Sequence, residues 1–234
     1  MKIAFAGDSL TAGRPGSTYF AILRRSLPND VLVNLGRGNE TIMSLNRRIS
    51  GLRSDTQFDL AFLWVGVNDV ITEGSWIFSA IQRITQQLPA KNIDEFQLHY
   101  EKTLELLCLK SRHVITVPPI LKGEDLQNPW NHQIADLSQV IKDLSSHYDQ
   151  ASFFNLREIF VEKLAEKPGS SYMLDNIFTA AMDILTLHRD EQIDRKAAER
   201  GLCLTLDGIH LNSAGARIAA DAFRKLIMER AEYR

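Results

Sequence analysis

Four polar turns in this 234-residue chain hold the side chains that could do chemistry, and they follow one another as a hydroxyl, a glycine-rich turn, a carboxamide and a carboxylate-imidazole pair. The first is Gly7-Asp8-Ser9-Leu10-Thr11, where an apolar run stops, Gly7 lets the backbone bend, and Ser9 is presented in the bend. The second runs from Asn34 through Gly36, Arg37, Gly38 and Asn39 to Thr41, a turn that can aim an unpaired backbone N–H at an oxyanion. The third is Gly66-Val67-Asn68-Asp69. The Asn68 amide donates to developing negative charge without a proton equilibrium, and Asp69 reads as an acceptor for turn N–H groups. The fourth is Asp207-Gly208-Ile209-His210, where three-residue spacing lets one backbone turn bring the carboxylate onto one imidazole nitrogen and leave the other facing outward.

Each turn also fits a plainer reading on its own: a capping Ser, a tight strand-helix connection with Thr41 as cap, an Asx turn, a capping Asp with a surface His. Their conjunction is what points to chemistry. Nucleophile, oxyanion donors, base and orienting carboxylate are the parts of acyl transfer. The other histidines, 99, 113, 132, 147 and 188, have no carboxylate at comparable spacing and read as ordinary core or surface residues.

These turns need a scaffold that gathers them. Short apolar runs at 2–6, 31–35, 59–65, 113–117 and 152–155 alternate with helical patterns at 18–26, 42–52, 93–110, 133–147 and 214–230. Such alternation predicts an α/β fold: a three-layer α/β/α sandwich, flavodoxin-like, with a central five-stranded parallel sheet in the order 2-1-3-4-5 and helices on both faces. Three of the four turns then fall at the carboxyl ends of strands, where open α/β sheets bind ligands. Two stretches exceed the minimal pattern and read as insertions, one near 71–92 and one near 157–204 that includes helical patterns at 172–187 and 190–200. Insertions at a sheet end wall a site or pack over helix surface.

With 44% apolar residues the chain suffices for one sizeable core and is short for two, so a single domain over 1–234 is expected. Twenty-seven basic against 29 acidic residues leave a net charge of -2, which provides no global field for nucleic acid. Cys108 and Cys203 lack metal-ligand spacing and read as buried free thiols suited to a reducing compartment. No apolar run reaches membrane-spanning length and no leader pattern precedes the first strand, so a soluble cytoplasmic protein without stable membrane insertion is expected. The pattern carries no signal for oligomeric state.

The sequence resembles the SGNH hydrolase superfamily, the GDSL esterases and lipases, whose four blocks match Gly7-Asp8-Ser9-Leu10, the turn from Asn34 to Thr41, Gly66-Val67-Asn68-Asp69 and Asp207-Gly208-Ile209-His210. The resemblance implies hydrolysis of a small-molecule acyl ester with no metal or organic cofactor. It implies Ser9 as nucleophile, His210 as base, Asp207 as its orienter, and an oxyanion hole from the Ser9 N–H, the Asn68 amide and a turn N–H. In the family a glycine usually stands five positions after the strand-end asparagine. Here that position is Asn39, with Gly38 one earlier, so either supplies the turn N–H. Asp8, Trp76, Phe78, Pro118 and Ile209 are candidates to line the substrate pocket, with Ile77, Pro119, Ile120 and the 172–187 segment as further apolar candidates. A noncatalytic acyl- or carbohydrate-recognition module on the same fold is the alternative, and Asn39 in the glycine position is the feature that favours it.

Overall fold

β1 (Lys2–Gly7) is buried along its length after Lys2, because both faces of the strand are covered. Ile3 and Phe5 enter one apolar cluster and Ala4 and Ala6 the other, as a side-chain period of two requires. The computed structural model describes residues 1–70, 87–174 and 176–232. After β1 come α1 (Ser9–Ala12), α2 (Tyr19–Ser26), β2 (Val31–Gly36), α3 (Ile42–Ser50), β3 (Leu60–Trp64) and α4 (Val67–Val70). They are followed by α5 (Ile93–Lys110), β4 (Val114–Val117), α6 (Pro129–Ser146), β5 (Ala151–Phe153), α7 (Leu156–Glu166), α8 (Ile177–Thr186), α9 (Asp190–Glu199) and α10 (Ser213–Glu232). All four strand pairings are parallel and the order is β2-β1-β3-β4-β5, as the alternating pattern predicts.

Two apolar layers flank the sheet. Tyr19 and Leu23 of α2, Leu156, Phe160 and Leu164 of α7, and Ala216, Ala219, Ala220, Phe223 and Ile227 of α10 cover one face. On the other lie Ile42, Leu45 and Ile49 of α3, Phe96, Tyr100, Leu104 and Leu107 of α5, and Ile134, Leu137, Ile141 and Leu144 of α6. Phe5 and Phe62 stack at 4.9 Å on the first face, and Phe223 reaches over both of them, 4.8 Å from Phe62. This aromatic knot, joined by Tyr19 and Trp64, pins α2 and α10 to the central strands and so fixes where residues 9 and 210 emerge.

Several expectations change at their edges. α6 begins at Pro129, four residues before the periodic pattern, because Asn128 accepts from the Asn131 N–H and Pro129 occupies the first turn, where its missing N–H costs nothing. β5 spans Ala151–Phe153 instead of 152–155, since Asn155 caps the next helix by accepting from the Glu158 N–H. That helix, α7, fills residues 157–166 of the expected insertion and buries Phe160 and Leu164 in the core, so this part belongs to the regular alternation. Cys108 and Cys203 are free but half-buried. Among the described residues no helix is long and apolar enough to cross a membrane.

Candidate active site

The first turn forms because Asp8, not Ser9, is the cap: its Oδ1 accepts the Leu10 N–H at 2.9 Å and starts the single-turn helix α1. Ser9 is therefore the first helical residue, with its side chain free to face the crevice. Gly7 is required here, since a Cβ would run into the Trp64 carbonyl oxygen of the neighbouring strand. The Asn34 carboxamide joins the first two turns, donating to the Thr11 carbonyl and accepting the Gly36 N–H, both at 2.8 Å.

The fourth turn is a tight hairpin. Thr205 and Leu211 pair as an antiparallel bridge, the Leu206 N–H donates to the His210 carbonyl at 2.6 Å, and Gly208 takes a φ of 94°. Inside it, Asp207 Oδ1 accepts the N–H groups of Ile209 (3.0 Å) and His210 (2.8 Å), and Oδ2 lies 2.7 Å from His210 Nδ1. His210 Nε2 lies 2.9 Å from Ser9 Oγ. With the Nδ1 proton donated to Asp207, Nε2 has a lone pair for the Ser9 hydroxyl. The Ser17 N–H donates to the Leu211 carbonyl at 2.8 Å, which ties the segment after Ser9 to the hairpin.

Charge reinforces this geometry. Burial works against the imidazolium, yet the adjacent Asp207 carboxylate and its hydrogen bond, helped by Asp8 and Asp183, outweigh it and raise the His210 pKa above its ordinary 6.5. Burial likewise disfavours ionised Asp207, but His210 and the two backbone N–H groups hold its pKa below the usual value. Asp8 has weaker compensation, and burial pushes it up to about 7.

Asn68 is tied to the second turn. Its Nδ2 donates to the Glu40 carbonyl at 2.9 Å, a contact that orients the amide. The buried Glu40 side chain is in turn held by Arg48. Asn39 adopts a φ of 56°, the left-handed region, whereas Gly38 does not. Its own N–H makes no hydrogen bond among the described residues. Asp69 is a structural acceptor, as its position suggests: Oδ2 takes the Ile42 N–H at 3.0 Å and Oδ1 the Ala90 N–H at 3.1 Å.

The pocket candidates divide. Asp8 is buried next to Ser9, and Ile209 is half-buried in the hairpin. Pro118 is buried, and Val117 and Ile120 beside it belong to the core cluster. Trp76, Ile77 and Phe78 lie outside the described residues.

Two polar residues that sequence reasoning missed hold these turns. Glu124 is 2% exposed and accepts from the N–H groups of Cys203, Leu204 and Thr205 and from the Thr205 hydroxyl, at 2.7 to 2.8 Å. It anchors the segment that leads into Asp207. Gln87 Nε2 donates to the Gly38 carbonyl at 3.0 Å, and the Thr41 hydroxyl donates to the Leu88 carbonyl at 2.7 Å, so the end of the 71–92 stretch braces the second turn. None of these contacts leaves a local signal, because the partners are 47 to 81 residues apart.

The GDSL-like lipase/acylhydrolase family model matches residues 5–218. No curated protein matches the chain at a significant level. Among solved structures it is similar to Axe2, an acetylxylan esterase from Geobacillus stearothermophilus, at 20% identity and a TM-score of 0.64, covering 96% of this chain and 92% of that one. It is also similar to the acetyl xylan esterase AlAXEase, at 22% identity and a TM-score of 0.65, covering 97% of this chain and all of that one. In further Axe2 structures, replacements of a serine, an aspartate and a histidine are described as catalytic mutants, the aspartate and histidine being three positions apart.

Proposed function

The chain belongs to the GDSL-like lipase/acylhydrolase family, a family of ester-bond hydrolases, and on that premise we propose that it is a serine esterase working through Ser9, His210 and Asp207. The observation that carries this reading is the unbroken hydrogen-bonded line from Asp207 Oδ2 through the imidazole to Ser9 Oγ, with links of 2.7 and 2.9 Å. The equal spacing of the aspartate and histidine in the Axe2 catalytic mutants supports it.

Ser9 Oγ attacks the acyl carbonyl as its proton passes to His210 Nε2, and Asp207 stabilises the imidazolium. The Ser9 and Asn39 N–H groups and the Asn68 amide receive the oxyanion. Asn39 is favoured over Gly38 because it occupies the left-handed position that reverses the chain, whereas the N–H groups of both are free of partners among the described residues. His210 then protonates the leaving alcohol, the acyl group remains on Ser9, and water repeats the sequence to release the acid. The recognition-module alternative drew on Asn39 standing where glycine is usual. An asparagine at φ 56° keeps the turn a glycine would make, which removes the physical ground for it.

Small acyl groups are the proposed substrates, with acetylated carbohydrates the first to assay. A panel of 4-nitrophenyl esters of increasing chain length should be hydrolysed fastest at the short end. Ser9→Ala should lose both turnover and covalent labelling by a fluorophosphonate, and labelling that persists at another residue would overturn the assignment.

A further inference from the structure

Two cations flank the first turn of α6 with no counter-ion among the described residues. Lys122, in the loop that leaves β4, is only 5% exposed, and its ammonium lies 4.5 Å over the centre of the Trp130 ring. Its Nζ has no hydrogen bond or ion pair among the described residues. Arg157, in the first turn of α7, is half-buried; Nη2 donates to the Asn131 carbonyl at 3.1 Å, and Nε is buried without a partner among the described residues. Both residues are tied to the first turn of α6: the Asn131 Oδ1 accepts the Lys122 backbone N–H at 3.1 Å and the Asn131 carbonyl accepts from Arg157, while the Lys122 ammonium lies over the adjacent Trp130.

The carboxylates nearby face elsewhere. Glu124 is turned to 203–205, Asp125 accepts the Gln127 N–H, and Glu158 lies exposed beside Asn155. Burial accordingly lowers both pKa values, that of Lys122 to about 8. An unneutralised, desolvated cation destabilises a fold, and the amino end of an 18-residue helix adds positive potential at the same place. An anion relieves all three. The loop 118–124 and the starts of α6 and α7 stand at the carboxyl ends of β4 and β5, the sheet end that carries Ser9 and Asn68, and α6 packs against α4, which bears Asn68.

We propose that Lys122 and Arg157 form a subsite for an oxyanion group, carboxylate or phosphate, carried by the ester substrate on an arm remote from the scissile carbonyl. This deepens the esterase reading of Ser9 and rests on it.

The test uses the full chain, with Lys122→Met and Arg157→Gln. Calorimetric titration with inorganic phosphate and with glutarate should show binding to the native protein and at least a tenfold weaker affinity in either variant; which of the two anions binds identifies the group. Mono-4-nitrophenyl esters of succinate, glutarate and adipate should include one hydrolysed with at least tenfold lower KM than its neutral counterpart of equal length. That preference should vanish in Lys122→Met while turnover of 4-nitrophenyl acetate stays within twofold. Without ligand, Lys122→Met should melt higher than the native chain, since a charge with nothing to balance it has been removed. Absence of binding by both anions, a preference that survives both substitutions, or a lower melting temperature would overturn the subsite. Failure of the native chain to hydrolyse 4-nitrophenyl acetate would instead sink the esterase reading, leaving calorimetry to judge the subsite.

Discussion

Asn39 holds a backbone conformation that costs an ordinary residue about 1 to 2 kcal/mol and glycine almost nothing. Asn39→Gly should therefore keep the turn and nearly all turnover, whereas Asn39→Val should force it to rearrange and lower kcat; equal rates in steady-state assays of the two would remove Asn39 N–H from the oxyanion site. Asn68 presents a different case, because its amide is already oriented by the Glu40 carbonyl. Losing one preorganised donor costs about 3 kcal/mol, so Asn68→Ala should reduce kcat by roughly two to three orders of magnitude with a much smaller change in KM. These residues were legible because their chemistry is local: Ser9, Asn68 and the Asp207-His210 pair each sit in a short motif whose spacing fixes what the side chain can reach. Asn39 was legible only as one of two choices, since which of two adjacent residues takes the positive φ depends on how the turn is braced by Gln87, far along the chain.

The hairpin that bears Asp207 and His210 is hung from Glu124. Three N–H groups and a hydroxyl converge on that one carboxylate, and a glutamine there would set its NH2 against one of the donors. Glu124→Gln should destabilise the fold by about 2 to 4 kcal/mol and lower kcat more than it raises KM, measured by chemical denaturation and by kinetics below the melting transition. Nothing in the sequence around Glu124 announces this, because a buried acceptor for a segment some eighty residues away is defined only by the packing of two loops. Elements with a period to read were legible to within a few residues, as β1, α3 and α5 were. α7 was not, because the spacing of Leu156, Phe160 and Leu164 is crowded by charged neighbours; nor were the one-turn helices α1 and α4, too short for any period.

For the whole molecule, pH acts on stability and on turnover in opposite senses. Asp8 and Asp69 both have folded pKa values raised by burial to about 7 from 3.8, so between those limits the folded chain binds more protons than the unfolded one. Their contribution to stability is complete below about 4 and is lost as pH rises through 7; the raised pKa of His210 acts in the same direction above 6.5. The melting temperature should fall between pH 5.5 and 8, by roughly 5 °C or more given a loss of a few kcal/mol, and Asp8→Asn should flatten that fall. Turnover should rise over the same interval, because the proposed base, His210, would act as neutral imidazole and its pKa lies above 6.5. A melting temperature that climbs with pH would mean these carboxyls are ionised in the folded state.

Ser9 and His210 meet across 201 positions of sequence. A hydroxyl and an imidazole so far apart become partners only after the first strand, the aromatic knot and the last helix have all docked, so under the proposed mechanism ester cleavage reports on completed topology. In a refolding experiment, helical signal returns as soon as local segments form, but catalytic competence is regained only in the closing phase. The enzyme would in effect certify its own assembly.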